Sequence, residues 1–171
     1  MLTGNKVSLQ DVLDDREERG RTIQTLLGKN PTATVLCFKL NIPGDVKTND
    51  DIVFAFNQGV KAWEQVVTSN GIVVTKASSV FKNTGPTYYC VVSSNTSTQQ
   101  VKQLALNLEE THALGRLFDF DTTPTISRTD IGHSQRKCLL CNNPAVQCAR
   151  GQTHNLSELQ QHIHNLIRGH L

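Results

Sequence analysis

Residues 115–121 of the chain read Gly-Arg-Leu-Phe-Asp-Phe-Asp. In a β-strand, successive side chains point to opposite faces, so we expect Phe118 and Phe120 on a core face and Asp119 and Asp121 on the other. Two carboxylates about 7 Å apart along one strand repel each other unless a cation lies between them. Because Mg²⁺ prefers oxygen ligands and often binds substrate phosphates as well, this stretch predicts a magnesium and phosphate site. The alternative is a solvated strand face with two surface acids.

The composition is typical of one domain. The chain has 171 residues, of which 37% are hydrophobic and 19% are charged, enough for one well-filled core and too few for two ordinary domains. It has neither a run of about 18 apolar residues nor a signal-peptide pattern, so we expect a cytoplasmic protein without a membrane partner. Five cysteines are an odd number, which makes a disulfide framework the poorer interpretation.

The excess of positive charge lies in the last third of the chain. Residues 1–115 hold 11 basic and 11 acidic side chains, whereas residues 116–171 hold 6 basic and 4 acidic ones, with 5 of the 6 histidines. This balance favours an anionic partner for the C-terminal third. It falls short of the strong basic patch that nucleic-acid-binding proteins usually carry.

Apolar periodicity and turn residues predict seven elements before residue 122. A first helix begins at the capping pair Ser8 and Asp11 and runs to about Gly28. After it we expect the order strand, helix, strand, strand, helix, strand, at residues 34–42, 49–70, 72–81, 87–93, 97–114 and 118–121. Gly115 is placed to end the last of these helices.

With right-handed crossovers, this order gives an α+β fold of the split β-α-β, or ferredoxin-like, type. Its sheet is mixed or antiparallel, with helices on one face. A nucleotidyltransferase-type mixed sheet is the alternative. We expect one domain over residues 1–171, made of an N-terminal helix (1–30), the β-α-β-β-α-β core (32–122), and a Cys/His-rich segment with a C-terminal helix (123–171).

Three basic residues of the N-terminal half lie where an anion could bind. Arg16 and Arg19 fall along the apolar stripe of the first helix, and either contact an anion or pair with neighbouring acids while their stems cover apolar surface. Lys47 lies just before a helix N-terminus, where free N–H groups favour a phosphate. The alternative for Lys47 is a plain surface lysine.

Glu109 and His112 lie three residues apart on one predicted helix, so their side chains can meet. A histidine held by a carboxylate is a candidate general base. The alternative is a core histidine that is satisfied by Glu109 and the helix end.

The segment after residue 123 contains a candidate metal site. Cys138, Cys141, Cys148 and His154 have the spacing C-x2-C-x6-C-x5-H, and four soft ligands in a short loop are what a structural tetrahedral Zn²⁺ requires. The alternative is a group of buried, reduced thiols that pack as small hydrophobic residues.

Together, the 115–121 stretch, Cys138-Leu139-Leu140-Cys141 and Cys148-Ala149-Arg150 form a specific combination. In these motifs the chain resembles the apo-citrate lyase phosphoribosyl-dephospho-CoA transferase family, over about residues 9–167. The resemblance implies an enzyme that converts the apo acyl-carrier subunit of citrate lyase to its holo form. A serine hydroxyl of that subunit attacks the innermost phosphorus of triphosphoribosyl-dephospho-CoA, and pyrophosphate leaves.

The resemblance also implies roles for the candidate residues. Asp119 and Asp121 hold Mg²⁺, and the serine proton is taken by His112 paired with Glu109, or by one of the aspartates. Phosphates are clamped by basic residues drawn from Arg16, Arg19, Lys47, Arg116, Arg128, Arg136 and Arg150.

An alternative from a different class is a non-catalytic, zinc-stabilised module that binds RNA or an acidic protein. Aromatic residues make up only 5% of the chain, which leaves few stacking surfaces for single-stranded nucleic acid. A nucleic-acid partner is therefore the poorer expectation.

Overall fold

A computed structural model describes residues 2–171. Within this range there are five α-helices, four β-strands and two short 3₁₀ turns (Gly115–Leu117 and Thr129–Ile131). The helices are α1 (Leu9–Lys29), α2 (Asp50–Ser69), α3 (Thr98–Thr111), α4 (Ala145–Gly151) and α5 (Leu156–Arg168), and the strands are β1 (Thr34–Leu40), β2 (Val74–Val80), β3 (Thr87–Val92) and β4 (Phe118–Thr123). None of the helices in the described chain is long and apolar enough to cross a membrane.

The four strands form one open sheet in the order β2-β3-β1-β4. All three neighbouring pairs are antiparallel, so the fold is α+β and the predicted mixed-sheet alternative is wrong for residues 2–171. The acidic strand β4 lies at one edge of the sheet.

The predicted helices and strands are present, with ends that shift by a few residues. The first helix has the predicted capping box, in which the Ser8 side chain accepts a hydrogen bond from the N–H of Asp11. The predicted role of Gly115 is wrong, because α3 already ends at Thr111. A Cβ at position 115 would lie 2.5 Å from the carbonyl oxygens of Leu108 and Glu109. Glycine is therefore needed there because the backbone passes close to the end of α3.

One face of the sheet forms the main core, under α2, α3 and α5. Phe38 of β1 stacks on Phe120 of β4, with ring centroids 4.2 Å apart, and on Phe56 of α2, at 5.3 Å. Ile163 and Ile167 of α5 are fully buried in the same cluster. The apolar side of the acidic strand is thus fixed by aromatic packing.

Helix α1 covers the opposite face, whereas α2 and α3, the two helices of the predicted β-α-β-β-α-β core, lie together on the main-core face. Leu26 of α1 packs there with Val35, Cys37, Tyr89 and Val91 of β1 and β3. By alternation, the two aspartates of β4 point to this face as well. Since α1 packs on β1 and β3, it leaves the acidic edge strand accessible.

Candidate active site

Strand β4 carries its two carboxylates on one face, as predicted. Phe118 and Phe120 are fully buried on the opposite face. In the pairing with β1, Lys39 lies directly across from Asp119. The alternation therefore aligns Asp119 and Asp121 beside a strand that supplies a cation.

Asp119 is balanced by two cations of the protein. Its Oδ2 accepts a hydrogen bond from Lys39 Nζ, and its Oδ1 accepts one from Arg136 Nη2 at 3.3 Å. Asp121 is exposed and makes no ion pair with any residue in 2–171. The repulsion expected between the acids is thus relieved on the Asp119 side, and Asp121 is open to a further cation.

Lys39 is a site residue that the sequence did not reveal. Burial lowers the pKa of its ammonium group, Asp121 opposes this shift, and Arg19 adds to it. Its position on the acidic face follows from strand alternation. That it meets Asp119 follows only from the register between two strands 80 residues apart.

Glu109 is the centre of a buried ion-pair network. Its side chain is only 4% exposed, and it accepts hydrogen bonds from the Phe120 N–H at 2.9 Å, Arg128 Nη1 at 2.7 Å and Arg136 Nη2 at 3.0 Å. Arg136 therefore bridges Glu109 and Asp119. This arrangement links the end of α3 to the acidic strand through one guanidinium group.

The predicted contact between Glu109 and His112 is not formed in the described chain. His112 is the C-cap of α3, and its ring is held by groups that follow the helix, not by Glu109. Its Nδ1 instead accepts a hydrogen bond from the Leu114 N–H at 3.0 Å, and its ring packs on Phe118 with centroids 4.8 Å apart. Burial, and secondarily the nearby His170, lower the pKa of His112.

A cavity of about 330 Å³ lies between the end of α3 and the 134–137 segment, and we call it the polar cavity. Its charged lining has two acids and four bases: Glu109, Glu110, Arg116, Arg128, Arg136 and Lys137. Arg128 is held by both glutamates, at 2.7 and 2.6 Å. Among residues 2–171, Arg116 donates only to the Cys138 carbonyl, at 2.9 Å, and it forms no ion pair there. The polar cavity is suited to a polyanion.

A second basic cluster lies on the α1 side. Arg19, Lys39 and Lys47 line a small cavity of about 30 Å³. Arg19 pairs with the buried Asp15, and Lys47 Nζ donates to the Ile42 carbonyl at 2.6 Å. Burial lowers the pKa of Lys47, and Asp45 opposes that shift. The structure thus groups two of the predicted anion-binding residues with Lys39.

Arg16 and Arg150 lie apart from these clusters, exposed on α1 and α4. Neither forms an ion pair with a residue of the described chain. A further missed residue is Lys102 of α3, which is only 5% exposed and donates to the Phe120 carbonyl at 2.6 Å. Its position seven residues before Glu109, on the same helix face, is the signal that would have indicated it.

The Cys/His cluster assembles as the spacing predicted. One ligand atom from each of Cys138, Cys141, Cys148 and His154 lies within 4.8 Å of every other. Cys141 Sγ is 3.5 Å from Cys148 Sγ and 3.4 Å from His154 Nε2, and all three thiols are free. This donor set can hold a metal ion.

The thiols of this cluster differ in how readily they ionise. Burial opposes ionisation of Cys138, but hydrogen bonds from backbone N–H groups of Leu140 and Cys141 lower its pKa below the usual value. Burial and the neighbouring thiols raise the pKa of Cys148 to about 11. Three adjacent thiolates repel one another, so a cation is what would let all three ionise together.

With this geometry established, comparison with known proteins identifies the family. A family model described as apo-citrate lyase phosphoribosyl-dephospho-CoA transferase matches residues 7–170. The chain belongs to this family. The resemblance seen in the sequence motifs is therefore confirmed, and the non-catalytic binding module is not favoured.

Known members of this family are similar in sequence to most of this chain. "Apo-citrate lyase phosphoribosyl-dephospho-CoA transferase" of Escherichia coli O1:K1 / APEC is 32% identical over 165 residues, which cover 94% of this chain and 88% of that protein. "Protein CitXG" of Leuconostoc mesenteroides subsp. cremoris is 34% identical over 169 residues. That match covers 96% of this chain but 36% of the relative, so this chain spans about a third of that protein.

Proposed function

We propose that the protein transfers the phosphoribosyl-dephospho-CoA group from triphosphoribosyl-dephospho-CoA to a serine of the apo acyl-carrier subunit of citrate lyase, with release of pyrophosphate. Membership of the transferase family supports this reaction. The structural observation that carries it is the position of Arg136, which contacts both Asp119 on the acidic strand and Glu109 in the wall of the polar cavity. A triphosphate in that cavity would lie beside the carboxylates.

We propose that Asp119 and Asp121 hold Mg²⁺ during the reaction. The donor set fits, because both are carboxylates on one strand face and Asp121 has no competing ion pair in the described chain. When bound, the ion would reduce the negative charge of the triphosphate and favour the leaving pyrophosphate. Lys39 and Arg136 balance Asp119 in the absence of the ion.

The phosphates would be bound by the basic lining of the polar cavity. Glu109 and Glu110 hold the guanidinium groups of Arg128 and Arg136 in fixed positions, so little order has to be gained on binding. Arg116 contributes a charge that no carboxylate of the described chain neutralises. Arg19 and Lys47 would provide further contacts to the anionic substrate on the α1 side. The exposed Arg16 and Arg150 suit contact with an acidic carrier protein.

For the serine proton, we propose one of the aspartates as acceptor. A neutral imidazole has one nitrogen that accepts a proton and one that carries it. In His112 the accepting Nδ1 is already used by the Leu114 N–H. Asp121 has an exposed carboxylate on the reacting face, and the carboxylate oxygen that would not bind Mg²⁺ would accept the proton.

We further propose that the Cys/His cluster binds a structural Zn²⁺. Three sulfur ligands and one imidazole nitrogen form a complete tetrahedral set. The ion would join the loop at residues 138–141 to α4 and the start of α5. Reduced, unpaired cysteines at all five positions support a cytoplasmic location.

At the level of the fold, we infer that residues 1–171 form one ferredoxin-like domain. The support is the strand order: α2 joins β1 to β2 with β3 between them, and α3 joins β3 to β4 with β1 between them. That is the split β-α-β connection.

The transfer itself is tested by incubating the protein with the apo carrier subunit, triphosphoribosyl-dephospho-CoA and Mg²⁺. Intact-mass measurement should show the prosthetic-group adduct on the carrier, together with released pyrophosphate. A carrier subunit with its acceptor serine replaced by alanine is the control and should remain unmodified. Absence of the adduct with every divalent metal tried would rule out the proposed reaction.

A further inference from the structure

A second cavity, of about 590 Å³, is lined by residues of the Cys/His cluster, α4 and the start of α5. We call it the apolar cavity, because its walls are mainly aliphatic. They include Leu139, Ala145, Ala149 and Leu159. Its volume is within the range of cavities that bind small molecules.

The apolar cavity adjoins the polar cavity. Lys137 lines the polar cavity, and the next residue, Cys138, lines the apolar one. Arg116 reaches across this boundary, since it lines the polar cavity and donates to the Cys138 carbonyl at 2.9 Å. The two cavities are therefore adjacent at residues 137 and 138, and a ligand that spans both would need a polyanionic end and a weakly polar end.

We propose that the apolar cavity binds the adenosine portion of dephospho-CoA while the polar cavity binds the triphosphate. This inference rests on the proposed function, which supplies a ligand with these two ends. The two alanines of α4 leave room for a flat ring to approach the helix closely. Asn41 and Gln152 are in the lining, and their side-chain amides can pair with the donors and acceptors of a purine edge.

The pantetheine arm is the less suitable occupant of this cavity. It is a long chain with many rotatable bonds, so its immobilisation costs more conformational entropy than that of a rigid base. We therefore assign the arm to the solvent side, where it leaves the protein.

The Cys/His cluster shapes the proposed adenosine site. Cys138, Cys148 and His154 line the apolar cavity as well as forming the cluster. Leu156, which is 46% exposed, lies at its rim, immediately after the loop that carries His154. The conformation of this loop therefore determines the shape of the cavity wall that would contact the adenine base.

Calorimetric titration of the whole protein with dephospho-CoA, AMP and pantetheine tests the assignment. We expect dephospho-CoA and AMP to compete for one site and pantetheine not to bind there. Ala149→Trp, a change at an exposed position in the cavity wall, should weaken dephospho-CoA binding by about tenfold or more, which corresponds to about 1.4 kcal/mol. Val146→Trp is the matched control, since Val146 is 56% exposed on the same helix and is not in the cavity lining of the described chain.

A second variant keeps the test informative if Ala149→Trp fails to fold. Leu156→Glu adds a negative charge at the rim and should also weaken binding of AMP. Unchanged affinity in both variants, or binding of pantetheine in place of AMP, would overturn the proposal. Transfer activity with an unaffected KM in Ala149→Trp would leave the function standing and remove the adenosine site. If the wild type bound dephospho-CoA, Ala149→Trp weakened that binding, and the wild type showed no transfer, the adenosine site would stand and the proposed function would fail.

Discussion

The ammonium group of Lys102 donates a hydrogen bond of 2.6 Å to the carbonyl of Phe120, the residue that separates the two aspartates of β4. Glu109, from the same helix, accepts the N–H of Phe120 at 2.9 Å. Both backbone polar groups of Phe120 are therefore held by side chains of α3. The backbone from which Asp119 and Asp121 project is fixed on an edge strand that has a sheet neighbour on one side only.

Replacing Lys102 with methionine should destabilise the protein. Methionine can fill most of the volume of the stem, but the Phe120 carbonyl loses its partner, and an unsatisfied buried acceptor costs about 1–3 kcal/mol. Urea unfolding measures the change in free energy. Lys61→Met, at an exposed position of α2, is the control and should change stability little. Equal stability of Lys102→Met and the wild type would refute the view that Lys102 stabilises β4 by holding the Phe120 carbonyl.

The two aspartates should respond differently to conversion to asparagine. Asp121→Asn removes a proposed Mg²⁺ ligand, so transfer should fall by about 10²-fold or more. Because Asp121 forms no ion pair in residues 2–171, stability should stay within about 0.5 kcal/mol of the wild type. Asp119→Asn should lower transfer as much and also lower stability by about 1 kcal/mol, because Lys39 and Arg136 lose their counter-charge. Initial rates by intact mass and urea unfolding measure the two effects. Asp14→Asn, on the exposed side of α1, is the control, and full activity in both strand variants would exclude the metal role.

Glu109→Gln should be far more damaging to stability than Glu110→Gln. The Glu109 side chain is 4% exposed and balances two arginines, so its neutralisation should cost about 3–5 kcal/mol. Glu110 is 41% exposed, and its change should cost less than about 1 kcal/mol. Differential scanning calorimetry of the two variants checks this order. Adding Arg128→Met to Glu109→Gln should restore part of the loss, and a further additive loss would contradict the network.

The zinc content of the purified protein should depend on the residues of the Cys/His cluster. The purified protein should contain about one equivalent of zinc by elemental analysis, and both Cys148→Ser and His154→Asn should contain much less. Cys37→Ala, which removes a buried thiol beneath α1, should keep the full equivalent. Zinc well below one equivalent in the wild type would mean that the cluster is a group of packed thiols.

Acidification should weaken the fold partly through His112. Its pKa in the folded protein lies below the ordinary value of 6.5, because burial disfavours the charged ring. The neutral ring therefore contributes its full stability above about pH 6.5, and that contribution is lost as the pH falls through the lowered folded-state pKa. His112→Asn should lose less unfolding free energy between pH 7.5 and 5 than the wild type. Parallel loss in the two proteins would show that His112 does not titrate in this way.

How far the sequence predicts this molecule depends on how local each feature is. The faces of Phe118 and Asp119 follow from a period of two within one strand. The Cys/His cluster spans 17 residues, and its spacing alone indicated which side chains would meet. In both cases the information lies within a short segment.

Features that depend on tertiary structure were missed or misassigned. The partner of Asp119 is Lys39, which is set by the register of two strands. The partners of Glu109 are Arg128 and Arg136, which approach from a segment without regular periodicity. His112 was assigned to a helix that ends one residue earlier. No periodicity signal shows that α3 ends at Thr111 or that the backbone at Gly115 returns against its last turn.

The position of β4 at the sheet edge has a consequence for the behaviour of the protein in concentrated solution. An unpaired edge strand is a template on which a strand of another molecule can add, which leads to aggregation. At Phe120 both backbone groups are already occupied by Lys102 and Glu109. The two side chains that hold the acidic strand thereby also block intermolecular strand addition at Phe120.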